Sequence, residues 1–121
     1  MSKTIMVVED SASVRMVIKI TLKNEKYNVI EATDGQDALN KLGEQKIDLF
    51  LCDVNMPNMD GLTFVKKLKQ MDEYKFAPVV MLTTESENDK KQIGKDAGVK
   101  AWLTKPFLPV KLTQAISLLL K

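Results

Sequence analysis

Asp53 is the residue of this sequence best placed for chemistry. It follows the apolar run Leu49-Phe50-Leu51-Cys52 and precedes Val54-Asn55-Met56-Pro57-Asn58-Met59-Asp60-Gly61. A carboxylate on the last residue of a buried strand faces a loop, where a ligand can reach it. The acidic pair Glu9-Asp10 ends the first apolar run in the same way, and Lys105-Pro106 ends the last. Carboxylates gathered in one crevice raise each other's pKa unless a cation neutralises them. Magnesium suits such a place, because it takes one or two carboxylates, keeps waters and leaves room for phosphate oxygens. On this reading Asp10 and Asp53 meet the metal directly, Glu9 acts through water, and the backbone carbonyl of Asn55 completes the protein's share. A phosphoryl group bound there needs its equatorial oxygens neutralised. The metal takes one, the Lys105 ammonium another and the Thr83 hydroxyl a third. Asp53 is then the nucleophile, and the product is an aspartyl phosphate.

These residues converge only if the elements between them bring the strand ends together. Thr4–Val8 reads as a buried strand. Helical spacing starts at Ser11, with Val14, Val17, Ile18, Thr21 and Leu22 on one face and Asp10 or Ser11 as cap. A second strand is expected over Tyr27–Ala32, followed by an Asp34-Gly35 turn into a helix carrying Ala38, Leu39 and Leu42. The third strand spans Ile47–Cys52, and the helix after Gly61 shows Phe64, Val65, Leu68 and Met71 at helical spacing. Pro78–Leu82, unbroken by polar residues, reads as a strand buried on both faces. A polar helix over Glu87–Ala97, anchored by Ile93 and Ala97, is closed by Gly98. The fifth strand covers Val99–Leu103, and a last helix runs from Pro109 to Leu120 with the proline in its first turn.

Successive βα units argue an α/β fold, a parallel sheet wrapped by helices on both faces. Right-handed crossovers favour the flavodoxin-like (βα)5 doubly wound sheet with strand order 2-1-3-4-5. In that order the winding reverses between strands one and three, and ligands bind in the crevice at the carboxyl ends of those strands. Glu9-Asp10 and Asp53 stand at those ends, with Thr83 and Lys105 at the ends of the fourth and fifth.

The bulk properties narrow the classes. A chain of 121 residues is expected to be one domain able to bury its own core. A net charge of +2 is too balanced to suggest nucleic acid or a membrane surface as partner. Cys52, the one cysteine, has no internal partner and fits a reducing, cytoplasmic setting. It reads as a small core residue, and the methionines as core filler. No signal peptide or membrane-length apolar run is seen. With no histidine, imidazole zinc sites and histidine-based triads are excluded. Lys66-Lys67 and Lys90-Lys91 read as solvated helix faces, the second pair being the better candidate for partner contact.

The whole chain resembles a response-regulator receiver domain, and most closely the stand-alone chemotaxis members of that family. The carriers are Val8-Glu9-Asp10-Ser11, Asp53 with Met56-Pro57-Asn58-Met59-Asp60-Gly61, Leu82-Thr83-Thr84-Glu85, and Lys100-Ala101-Trp102-Leu103-Thr104-Lys105-Pro106-Phe107. The resemblance implies that Asp53 accepts phosphate from a histidine kinase, that Glu9 and Asp10 hold Mg²⁺, and that Lys105 and Thr83 sense the phosphoryl group. It also implies a cis Lys105-Pro106 bond and a switch pair, Thr83 and Trp102, in which the aromatic fills space vacated by the threonine. The readout face would combine the Glu87–Ala97 helix, which carries Gly94, with the fifth strand and the last helix.

Three positions depart from the commonest pattern: Glu9 for aspartate, Trp102 for tyrosine or phenylalanine, and Thr84 for a smaller residue. Asn55 and Glu85 resemble residues of regulators with short-lived phosphorylation. With the sequence closing one helix after the fifth strand, output is expected through protein contact and without a second domain. The expected partners are a histidine kinase, a flagellar motor switch protein or other protein target, and a phosphatase, and the protein is expected to be a monomer. A phosphorelay intermediate or phosphate sink is the alternative of the same fold. A magnesium-dependent aspartyl phosphatase is disfavoured, since such enzymes carry Asp-x-Asp on the first strand. A flavin carrier is weaker still, because no phosphate loop follows strand one.

Overall fold

The computed structural model describes residues 2–43, 46–83 and 98–120. Over these it shows β1 (Thr4–Val8), α1 (Ala12–Asn24), β2 (Asn28–Ala32), α2 (Gly35–Lys41), β3 (Leu49–Asp53), α3 (Gly61–Lys69), β4 (Val79–Thr83), β5 (Ala101–Thr104) and α4 (Pro109–Leu119). All strand pairs are parallel, and the order is β2-β1-β3-β4-β5. The expected helix over 87–97, with Ile93, Gly94 and Ala97, lies outside the described residues, as do Thr84, Glu85 and Lys90-Lys91.

The period-two geometry of the strands divides the core into two layers. Ile5, Val7, Leu49, Leu51, Val80 and Leu82 face α1 and α4, where they meet Ile18, Leu22, Leu112 and Ile116. Met6, Val8, Phe50, Cys52, Val79 and Met81 face α2 and α3, meeting Ala38, Phe64, Val65 and Leu68. Covered on both faces, β1, β3 and β4 are buried throughout, and their middle residues are apolar, with Thr4, Asp53 and Thr83 at strand ends. Phe50 seats edge-on against Phe64 and Tyr74 in the second layer.

Helix starts follow local chemistry. Ser11, Asp34 and Asp60 cap α1, α2 and α3 by accepting from the backbone N–H three residues on. Ser11 therefore takes the cap and leaves the Asp10 carboxylate to the crevice. Proline opens α4, which has no side-chain cap bond.

Several expected details shift. Val17 is 50% exposed rather than buried; one residue from Ile18, it stands about 100° round the helix from the packed stripe. Met71 lies past the end of α3 and is exposed. β3 and β4 each run one residue further than their apolar stretch, so Asp53 and Thr83 are ladder residues. β2 starts at Asn28 instead of Tyr27, and β5 covers Ala101–Thr104 instead of Val99–Leu103. As an edge strand, β5 is only half-buried. Among the described residues no helix is long and apolar enough to cross a membrane.

Candidate functional site

β1 and β3 are adjacent, and their carboxyl ends deliver the acids. A carboxylate oxygen from each of Glu9, Asp10 and Asp53 lies within 4.8 Å of the others. Glu9 and Asp53 are buried, whereas Asp10 is exposed at the mouth. The Glu9 backbone is anchored by its N–H donating to the Ala32 carbonyl at 3.0 Å.

Lys105 comes from the end of β5 and bridges two of these acids. Its Nζ donates to Glu9 Oε1 and to Asp53 Oδ2, each at 2.8 Å. The lysine's own N–H donates to the Thr83 carbonyl at 2.7 Å, which ties it to the end of β4. The Lys105-Pro106 peptide bond is cis. Burial works against the ammonium, but the hydrogen bonds to Asp53 and Glu9 outweigh it and hold the Lys105 pKa above its ordinary value. Glu9 moves further. Desolvation first, and then its contact with Asp53, push its carboxyl up to about 8 despite the lysine. Its second oxygen, Oε2, is buried with no hydrogen-bond partner among the described residues. An orphaned buried oxygen beside clustered carboxylates has the donor chemistry that a hard cation takes.

Thr83 is buried at the end of β4, in register with Thr104. Trp102 is in register with Met81, two residues before Thr83. Alternation therefore puts Thr83 and Trp102 on the same face as diagonal neighbours of adjacent strands. Trp102 is half-buried against the layer beneath α2 and α3. Asn55 stands at the rim, its N–H donating to Asp53 Oδ1 at 3.4 Å. Glu9, Asp10, Asp53, Asn55, Thr83 and Lys105 are thus gathered at the carboxyl end of the sheet, while Thr84 and Glu85 lie outside the described residues.

A match to the family model of the response regulator receiver domain covers residues 5–117. The chain is a response-regulator receiver domain. Chemotaxis protein CheY4 of Vibrio cholerae is 41% identical, with a TM-score of 0.94 over 99% of this chain and 100% of that one. The alkaline phosphatase synthesis transcriptional regulatory protein PhoP of Bacillus subtilis is 35% identical over 100% of this chain and 50% of its own length. The phosphate regulon transcriptional regulatory protein PhoB of Escherichia coli is 35% identical over 100% of this chain and 53% of its own. The chain thus spans about half the length of these curated relatives.

Two supports of this receiver domain's pocket escaped the sequence reading. Arg15 of α1 donates from Nη1 to the carbonyls of Glu9 at 2.8 Å and Asp10 at 3.3 Å. Asn58 Nδ2 donates to Asp34 Oδ2 at 2.8 Å, clasping the β3–α3 loop to the start of α2. The first had a faint signal, an arginine one turn into a helix that follows two acids. The second had none, because it joins loops far apart in the chain.

Proposed function

We propose that this receiver domain is a phosphorylation switch with Asp53 as acceptor and a histidine kinase as donor. An Asp53 oxygen attacks the phosphorus of a phosphohistidine, the P–N bond breaks, and its electron pair stays on the imidazole nitrogen. The carboxylates of Glu9, Asp10 and Asp53, with the Asn55 carbonyl, would hold Mg²⁺, which when bound neutralises charge on the phosphoryl oxygens. Lys105 supplies the second positive charge, and the observation that carries this reading is its ammonium lying 2.8 Å from Asp53 Oδ2. Its contact with Glu9 Oε1 holds it there until a phosphoryl oxygen takes its place as acceptor. The Thr83 hydroxyl turns toward the phosphoryl group, and Trp102 follows on the same sheet face. The domain signals by protein contact in the cytoplasm and turns over no small phosphate esters.

The 41% identity to CheY4, against 33–36% to the transcriptional regulators, favours a chemotaxis role with a flagellar motor switch protein as target. The test is Trp102 fluorescence on adding Mg²⁺ and then beryllofluoride, alongside binding to the motor switch protein. A response in the unsubstituted protein that is lost in Asp53→Asn is expected. An equal response in Asp53→Asn would remove the proposed acceptor. Phosphate passing to a histidine phosphotransfer domain with no change in target binding would mark a phosphate sink instead.

A further inference from the structure

Arg15 spans the back of the acidic pocket. From the second turn of α1 its Nη1 holds the carbonyls of Glu9 and Asp10, and its Nε donates to Glu31 Oε1 on β2 at 3.4 Å. Lys19 Nζ sits 3.1 Å from Glu31 Oε2, so both oxygens of that carboxylate are engaged. The Lys19 and Arg15 contacts hold the Glu31 carboxyl below its ordinary pKa, with the Lys19 hydrogen bond the leading cause. Behind it, the Glu31 carbonyl accepts from Lys41 Nζ at 2.6 Å. The Arg15 side chain is only 17% exposed, so this network is shielded on the guanidinium side.

The carbonyls that Arg15 grips belong to the two residues whose carboxylates enter the cation site from β1. Gripping both peptide oxygens fixes the backbone between them, and with it the points from which both side chains depart. Coulomb's law alone makes Arg15 an odd neighbour, since a fixed positive charge weakens cation binding nearby. Glu31 offsets this by placing against the guanidinium a negative charge that it shares with Lys19.

We propose that Arg15 is a positioning residue of the cation site, clamping the Glu9 and Asp10 backbone, with Glu31 neutralising the clamp. This rests on the reading that the acidic cluster binds Mg²⁺. The two contributions of Arg15 have opposite signs, which makes the test sharp. Losing the charge alone would tighten Mg²⁺ binding, whereas losing the clamp would weaken it.

Calorimetric Mg²⁺ titrations of the full chain decide between them, with circular dichroism melts to show that each variant folds. Arg15→Met is expected to weaken Mg²⁺ binding by about ten- to a hundredfold, the usual range for groups that orient metal ligands. Arg15→Lys keeps the charge without the planar fork and is expected to be no better. Glu31→Gln leaves the guanidinium unneutralised and should also weaken binding. Lys19→Met removes the same unit of charge but touches neither carbonyl, so it should not weaken it. Arg15→Met or Arg15→Lys binding Mg²⁺ as tightly as the unsubstituted protein would overturn the clamp while leaving the phosphorylation-switch reading intact. No Mg²⁺ binding by the unsubstituted protein would overturn both.

Discussion

Lys105 stands between two of the three clustered carboxylates of this receiver domain. Its ammonium occupies one oxygen of Glu9 and one of Asp53. A divalent ion drawn to the same carboxylates must compete with it, so the lysine acts as a built-in counter-ion for the metal-free pocket. Replacing it by methionine, of similar length and without charge, leaves the clustered acids with no cation. We expect Lys105→Met to bind Mg²⁺ more tightly than the unsubstituted protein in a calorimetric titration. The same variant should lose the Trp102 response to beryllofluoride, because the second positive charge on the phosphoryl oxygens is gone. A looser Mg²⁺ site in Lys105→Met would mean that the lysine holds the acids in place rather than competing for them. The residue types and strand-end positions of Asp53, Glu9, Asp10, Thr83 and Lys105 were all legible in the sequence. The hydrogen bond from Lys105 to Glu9 was not, since it depends on which acid is buried deepest.

At the scale of elements, the corner between β3 and α3 sets where Asp53 and its rim stand. Gly61 opens α3, and its N–H donates to the Val54 carbonyl at 2.9 Å. A Cβ added there would meet the Asp53 carbonyl oxygen at 2.1 Å and Met81 Cε at 2.9 Å. The methionine can swing aside, but the backbone oxygen belongs to Asp53, the proposed acceptor. Gly61→Ala is therefore expected to cost at least about 2 kcal/mol in urea denaturation, as overpacking against fixed groups does. It should also weaken Mg²⁺ binding, because relief of the clash moves Asp53. The loop itself is held by Asn58, at φ +66°, through its bond to Asp34. Asn58→Gly removes the clasp but tolerates that φ, whereas Asn58→Ala loses both. The alanine variant should be less stable than the glycine variant by about 1 kcal/mol, the usual cost of a left-handed non-glycine residue. Equal stabilities would show that the loop relaxes out of the left-handed conformation. Among the described residues the helices and strands themselves were readable from period and punctuation. Their ends were misplaced where ladder bonds continued past the apolar run, as at Asp53 and Thr83, because hydrophobicity does not register a backbone hydrogen bond.

For the whole molecule, strand order was readable because so few topologies satisfy consecutive right-handed βα units, and burial on both sheet faces left the middles of β1, β3 and β4 apolar, with polar residues only at their ends. That same burial puts the Glu9 side chain fully out of solvent and drives its carboxyl up to about 8. This shift was anticipated only as mutual repulsion among acids; desolvation, the larger cause, depends on depth, which the sequence does not display. It couples the pocket to global stability. In the metal-free protein Glu9 keeps its proton up to about pH 8, whereas in the unfolded chain it ionises near 4.5. Between those values the folded state binds the extra proton, so unfolding stability falls as pH rises through the window and levels off above it. Mg²⁺ takes the ionised carboxylate, so its affinity climbs over the same window and its binding releases the proton. Because a ligand of the folded state stabilises it more as its affinity grows, a fixed Mg²⁺ concentration should raise the melting temperature far more at about pH 8.5 than at about pH 6. Glu9→Gln carries no titrating group there and should show neither the metal-free pH slope nor the pH-dependent part of the Mg²⁺ shift. Thermal melts of both proteins across this range test the linkage, and a Mg²⁺ shift in the unsubstituted protein that ignores pH would exclude Glu9 from the cation site.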